Sequence, residues 1–263
     1  MFAVCTHAII KKDIRAIVAN KRLFPVLLVV PLVFTVFIPS LFILIVYFVP
    51  DDLGDFRQLL DMMPIVNQSD TLERTVISLI MNYIVPVFFI LIPVMAASVM
   101  AASAFVGEKE KRTLETLLYC PLTLKQIFQS KVWASFFLSM GVSVASFIVM
   151  LVVVEVEVLL TTGSMLPFDF TWLVVLLLVS PAISILAITL IVSGSAKAQT
   201  VEESQQRSIF LILPVILLAT GQFTGLFLIN VWYLLAFGAV FALAAYILMK
   251  RAMANFTYEL LLR

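Results

Sequence analysis

Few side chains in this sequence of 263 residues could carry out catalysis or bind a metal ion. His7 is the single histidine, and Cys5 and Cys120 are the two cysteines. A metal centre or an acid–base catalyst needs several such groups close together, and one histidine supplies neither a ligand set nor a catalytic dyad. The sequence therefore predicts a non-catalytic protein with no metal or cofactor of its own.

Charged and apolar side chains form their richest pattern in residues 107–133, GEKEKRTLETLLYCPLTLKQIFQSKVW. From Glu108 to Tyr119 this string predicts a short amphipathic helix, because leucines recur at i, i+3 and i+4 from Leu114 onward. Pro121 ends the predicted helix, since proline cannot continue the hydrogen-bond ladder. Such a helix could dock onto a partner, or it could be an ordinary charged connection between two membrane helices.

The distribution of charge along the chain predicts the helices on either side of this segment. Hydrophobic residues make up 63% of the chain, whereas a soluble globular protein has about 45–50%. All 17 basic and 16 acidic residues lie outside five uncharged blocks. An apolar stretch of about 20 residues spans a bilayer as a helix. The sequence therefore predicts an all-α polytopic membrane protein, whose uncharged blocks are 23–50, 75–107, 132–154, 170–196 and 208–249.

The number of spans and their orientation follow from the basic residues. The first four blocks hold one span each, and the fifth is long enough for two. With six spans, 15 basic residues lie on the side of the two termini and two lie on the other side. The positive-inside rule then predicts that both termini are cytoplasmic. We expect a single transmembrane domain, 1–263, in the plasma membrane, with spans near 23–49, 76–105, 132–156, 171–193, 209–227 and 231–249.

Residues 7–22 predict a helix that lies on the membrane surface before the first span. At 100° per residue Ile10, Ile14 and Ile17 share one side, and Lys11 and Arg15 share another. The apolar side could sink into the acyl chains while the basic side meets anionic head groups. The alternative is an ordinary basic flank of the first span.

The segment between the second and third spans resembles the corresponding loop of type-2 ATP-binding-cassette (ABC) exporter permeases. That loop carries Glu-Lys-Glu-(Arg/Lys)-x-Thr-Leu-Glu-x-Leu-Leu, then a proline, then a basic amphipathic turn that ends in lysine. The sequence departs from the pattern at Arg112, where glycine is frequent, and this favours a continuous helix. It matches at Glu108, Lys109, Glu110, Thr113, Leu114, Glu115, Leu117, Leu118, Pro121 and Lys131.

The resemblance implies a permease subunit that works with a separate cytoplasmic ATPase, expected in two copies. The chain contains no G-x-x-x-x-G-K-[ST] motif, so ATP and Mg²⁺ would bind to that partner. In the family, residues 107–131 would form the coupling loop, and its helix would sit in a cleft of the ATPase. A second permease, identical or homologous, would complete the conduit, and no nucleic acid is expected as a partner. The implied contacts with the ATPase are Glu108, Glu110, Arg112, Thr113, Glu115 and Leu118.

Polar residues within the spans are candidates for a transport pathway. Small residues at helical spacing, such as Ser139 and Ser143, could instead pack the helices of one chain closely together. The uncharged spans favour a hydrophobic, amphiphilic or peptide-like substrate. The candidate pathway residues are Asn82, Ser139, Ser143, Gln222 and Asn230.

Two other functions remain open at this point. An ion-coupled secondary transporter is disfavoured, because proton and ion pathways usually need ionisable residues inside the membrane. Only Glu155 and Glu157, at one end of the third span, come near to that requirement. An ABC-linked immunity or sensing subunit would share the same layout, and the sequence does not separate it from an exporter.

Overall fold

The structure is a computed structural model that describes residues 2–21, 23–48, 72–110, 122–163, 165–166, 168–195, 200–206, 209–223 and 231–255. Every regular element in these ranges is a helix, which confirms the all-α prediction. We number the α-helices α1 to α12 along the described chain. They are α1 Phe2–Val18, α2 Leu23–Leu32, α3 Ile38–Phe48, α4 Leu72–Leu79, α5 Val85–Phe89, α6 Leu91–Glu110, α7 Leu124–Thr162, α8 Thr171–Val174, α9 Ser180–Ser195, α10 Val201–Gln206, α11 Ile209–Phe223 and α12 Val231–Asn255.

The N-terminal helix α1 is separate from the first span, as predicted, but it starts and ends earlier than 7–22. A turn at residues 19–21 separates the two helices, and the Asn20 carbonyl accepts a hydrogen bond of 3.0 Å from the Phe24 amide. The buried face of α1 is formed by Ile9, Asp13 and Ile17. This face packs on α7, so α1 is attached to protein as well as suited to a membrane surface.

In the described part of the chain, three spans contain a wide π-helical turn, and each turn ends two residues before a proline. These turns are Val33–Phe37 before Pro39, Ile80–Ile84 before Pro86, and Val175–Val179 before Pro181. A proline has no amide hydrogen, and its ring clashes with the carbonyl four residues earlier. A π-turn widens the backbone at that carbonyl and lets the helix continue.

Among the described residues, five helical segments are long and apolar enough to cross a membrane, against the six that we predicted. The predicted fifth span, 209–227, corresponds to α11, which has 15 residues. At 1.5 Å per residue α11 is about 22 Å long, less than the hydrocarbon thickness of about 30 Å. Residues 224–227 lie outside the described part of the chain. The five segments are Leu27–Phe48, Arg74–Glu110, Leu124–Thr162, Thr171–Gly194 and Val231–Ala254.

The second and fourth spans form the centre of the molecule and are mostly buried. Helices α6 and α9 pack against each other, α7 lies against both, and α12 packs on α9. The serines of α7 face this interface, since Ser135, Ser139 and Ser143 are fully buried. The opposite face of α7 is exposed and apolar, as at Phe137 and Val152.

Candidate functional site

Four charged side chains from three helices meet near the end of α6 and the start of α7, on either side of residues 111–121. We call them the charge cluster: Lys12 and Asp13 of α1, Glu108 of α6 and Lys131 of α7. The Glu108 carboxylate is in contact with two ammonium groups. Its Oε1 lies 2.5 Å from Lys12 Nζ, and its Oε2 lies 2.6 Å from Lys131 Nζ. One carboxylate therefore joins the N-terminal helix to the ends of two spans.

Lys131 lies at the buried centre of the charge cluster. Its side chain is 4% exposed, compared with 53% for that of Lys12. The Lys131 ammonium also donates a hydrogen bond of 2.5 Å to the Ala104 carbonyl and lies 5.6 Å from the centre of the Phe105 ring. A buried charge is tolerated only when it is paired and hydrogen-bonded. These contacts meet that requirement and hold the start of α7 against the end of α6.

Asp13 completes the charge cluster from the buried face of α1. Its Oδ1 lies 3.8 Å from Lys12 Nζ, and its Oδ2 lies 3.9 Å from Lys131 Nζ. Burial raises the pKa of the Asp13 carboxyl above its usual value of 3.8 by more than the Lys131 ammonium lowers it. The Asp13 side chain is therefore close to positive charge but in a setting that disfavours its ionised form.

The third span begins immediately after the loop with a well-defined cap. The Thr123 side chain accepts a hydrogen bond of 3.4 Å from the Gln126 amide, and the Gln126 side chain accepts one of 2.9 Å from the Thr123 amide. This reciprocal capping box fixes the point at which α7 starts. Helix α7 has 39 residues and is about 58 Å long, so it projects beyond the hydrocarbon.

Comparison with protein families identifies the group to which the chain belongs. The family model described as "ABC-2 family transporter protein" matches residues 7–230, which include α1 from His7 onward, the charge cluster and residues 111–121. The chain belongs to the ABC-2 transporter family. No curated protein and no solved structure matches it. The ABC-2 permease is thus a multi-pass membrane protein of a transporter family whose members are typically non-catalytic subunits working with an ATP-binding subunit.

The residues that we predicted to contact an ATPase are only partly described. Glu108 is buried and engaged with Lys12 and Lys131, whereas Glu110 at the end of α6 is exposed. Their contact with an ATPase stays a prediction. The other predicted contacts, Arg112, Thr113, Glu115 and Leu118, lie outside the described residues, as does most of the predicted helix from Glu108 to Tyr119.

The candidate pathway residues occupy different places in the ABC-2 permease. Ser139 and Ser143 donate hydrogen bonds of 2.9 Å to carbonyls of their own helix, those of Phe136 and Ser139. Asn82 is buried, and its side-chain oxygen accepts a hydrogen bond of 3.1 Å from the Asp169 amide. Asn82 thus connects the second span to the start of the fourth. Gln222 lies in α11, and Asn230 is outside the described residues. Their role in a pathway stays a prediction.

Sequence reasoning did not find the charge cluster. The residues missed were Lys12 and Asp13, which were assigned to a helix facing lipid. A signal was available at Asp13, because this carboxylate falls between Ile9 and Ile17 at a spacing of four residues and interrupts an apolar face. A charge on the buried stripe of an amphipathic helix requires a partner of opposite charge on the element that covers it.

Proposed function

We propose that this permease is the transmembrane subunit of an ATP-driven exporter and forms half of its conduit. The observation that carries the proposal is the match to the ABC-2 transporter family over residues 7–230. The substrate would be hydrophobic, amphiphilic or peptide-like, because the spans provide a conduit of low polarity. ATP and Mg²⁺ would bind to a separate ATPase subunit, present in two copies.

The charge cluster supports coupling through the loop 107–131. Glu108 and Lys131 lie on either side of residues 111–121, and their carboxylate and ammonium are 2.6 Å apart. Lys12 attaches α1 to the same carboxylate. A displacement of the loop would therefore move α1 and the ends of the second and third spans together. Closure of the ATPase would reach the spans as a rigid-body movement.

The orientation and the second permease belong to the same proposal. The excess of basic residues supports a cytoplasmic position for both termini and for the loop, in the plasma membrane. The exposed apolar face of α7, which includes Phe137, Ile148 and Val152, fits either lipid or a second permease. An identical or homologous partner would close the conduit.

Purification of the full-length chain with an affinity tag from membranes of its native host tests the proposal. We expect a Mg²⁺-dependent ATPase activity in the eluate. Glu115→Lys and Leu118→Asp should reduce this activity at least tenfold, because they place a charge of the wrong sign or a desolvated charge in the proposed contact.

Glu203→Lys provides the matched control, since Glu203 is an exposed carboxylate on α10, outside the loop. This variant should retain the ATPase activity of the unchanged chain. Permease that elutes without any ATPase, or loop variants that retain full activity and assembly, would contradict the proposed coupling.

A further inference from the structure

A cavity of about 450 Å³ lies beside the second span, between the first span, α10 and α11. Leu27 and Pro31 of the first span, Met95 and Val99 of α6 and Ile212 of α11 form its apolar wall. Glu202, Gln205 and Gln206 of α10 form its polar wall. Glu202 and Gln206 are exposed, so the cavity reaches the molecular surface beside α10.

The cavity lies in the half of the bundle that carries the charge cluster. Helix α10 starts beside Gly107, where an added Cβ would be 3.7 Å from Val201 Cγ2. Met95 and Val99 precede Gly107 on the same helix and are therefore about 12–18 Å from it along the axis. The polar helix α10 thus borders an apolar chamber that extends toward the middle of the bundle.

The apolar and polar walls of the cavity would contact different parts of a ligand. The apolar wall offers hydrocarbon contacts, and the Ser98 hydroxyl that lines it already donates a hydrogen bond of 2.9 Å to the Met95 carbonyl. Glu202 is the ionisable member of the described lining residues, and Gln205 and Gln206 add amide groups. A ligand that complements both walls has one apolar part and one head group of positive charge.

The size and polarity of the cavity exclude several substrate classes. A volume of about 450 Å³ lies within the usual range for small-molecule sites, about 300–1,000 Å³, and is too small for a folded peptide. The apolar wall offers few partners for the hydroxyl groups of a sugar chain, which would remain unsatisfied. The Glu202 carboxylate repels an anionic amphiphile. A single-chain amphiphile with a cationic head satisfies all three conditions.

We propose that this cavity binds a small amphiphile whose ammonium head pairs with Glu202 and whose apolar chain lies between the first span, α6 and α11. This inference rests on the proposed export function only for the fate of the ligand, because the lining residues that carry it belong to the described part of one chain. The cavity would select the substrate on the side of the coupling loop. Passage through the conduit would follow.

Isothermal titration of the permease with dodecylamine tests the site. The full-length chain is placed in phosphatidylcholine nanodiscs without ATPase or ATP, and the heat of binding to empty nanodiscs is subtracted. We expect one site per chain that prefers dodecylamine to dodecanol and rejects dodecanoate. Glu202→Gln should raise the Kd for dodecylamine about tenfold, the effect of losing one charge-assisted hydrogen bond. Glu203→Gln, on the same helix but outside the cavity, should leave the Kd unchanged.

A second variant addresses the apolar wall. Met95→Trp narrows the chamber and should raise the Kd for dodecylamine, whereas Leu243→Trp on the exposed face of α12 should not. Equal affinity in the unchanged and Glu202→Gln chains, equal binding of dodecanoate, or an unchanged Kd in Met95→Trp would overturn the inference. So would a phospholipid that occupies the cavity and resists displacement by dodecylamine. Because no ATPase is present, failure of this test is distinct from failure of the coupling test.

Discussion

At the scale of single residues, the charge cluster is the feature whose loss we expect to cost the most stability. Lys131 has a side chain that is 4% exposed, and its charge is balanced by Glu108 and by the Ala104 carbonyl. Buried ion pairs contribute little net stability compared with apolar packing, but removal of one partner leaves an uncompensated charge. The cluster therefore makes the relative position of α1, α6 and α7 specific.

Lys131→Met should destabilise the permease by about 2–3 kcal/mol, below the usual cost of about 3–5 kcal/mol because Lys12 still pairs with Glu108. Thermal unfolding in detergent should show a midpoint lower by about 5–10 °C. Lys125→Met is the matched control, since Lys125 is exposed in the first turn of the same helix, and its midpoint should hardly change. Combining Glu108→Gln with Lys131→Met should cost less stability than the sum of the two single variants, because their shared ion pair is lost only once. Additive losses would contradict the pairing.

Asp13 makes the stability of the permease depend on pH. The folded state binds the Asp13 proton more tightly than the unfolded chain does, because burial raises its pKa above 3.8. The stabilisation linked to this proton is present below pH about 4 and is lost as pH rises through the raised pKa. Asparagine cannot ionise, so Asp13→Asn removes this loss of stability at higher pH. The unfolding midpoint of the variant, relative to that of the unchanged chain, should therefore increase from pH 4 to pH 7.

The control for this pH experiment is Glu110→Gln, which changes an exposed carboxylate at the same end of the bundle. Its difference in midpoint from the unchanged chain should vary much less with pH. A difference for Asp13→Asn that stays constant, or that becomes more negative toward pH 7, would show that the Asp13 carboxylate is favoured by its partners over its protonated form.

At the scale of elements, the helices were predictable because charge and hydrophobicity vary together along the chain. Each of the first four uncharged blocks contains a helix at the expected place. The second span was predicted to end too early and the third to start too late, because α6 continues to Glu110 and α7 starts at Leu124. Charged residues limit the apolar part of a helix but are good helix formers, so they do not end it. Pattern alone finds the membrane part of a span and misses its extension.

The π-turns mark the limit of element prediction. Pro39, Pro86 and Pro181 each follow a π-turn by two residues. Proline predicts the loss of a hydrogen bond. Whether the helix bends or widens depends on how the neighbouring spans pack, and that information is tertiary.

Only part of the charge cluster was predictable from the sequence. The motif pointed to Glu108 and Lys131 on neighbouring elements, but it gave no information about Lys12, which is separated from Glu108 by almost a hundred residues. The contact exists because the stripe of Ile9 and Ile17 attaches α1 to α7 and brings Lys12 within 2.5 Å of the Glu108 carboxylate. Sequence periodicity indicated Ile10, Ile14 and Ile17 as the apolar side and assigned it to lipid, since lipid and protein present equally apolar surfaces.

At the scale of the whole molecule, the last span packs closely on the centre at a glycine. In α12, Gly238 faces the π-turn of the fourth span. A Cβ added at Gly238 would lie 2.9 Å from Leu178 Cγ and 3.3 Å from Val179 Cγ2. Contacts of this length require the Leu178 side chain or one of the two helices to shift. Glycine here allows the close approach that drives helix association in membranes.

Gly238→Ala should therefore lower the stability of the permease even though alanine is the better helix former. The clash costs about 1–3 kcal/mol, and the gain in helix propensity returns about 1 kcal/mol. The net loss of about 1 kcal/mol should lower the midpoint of thermal unfolding by about 2–4 °C. Gly141→Ala on α7 is the matched control, because no atom lies within 4 Å of its added Cβ, and this variant should raise the midpoint. Two changes of the same type should thus act in opposite directions. If both raised the midpoint, α12 would have to be held by other contacts, and the position of the last span against the fourth would be wrong.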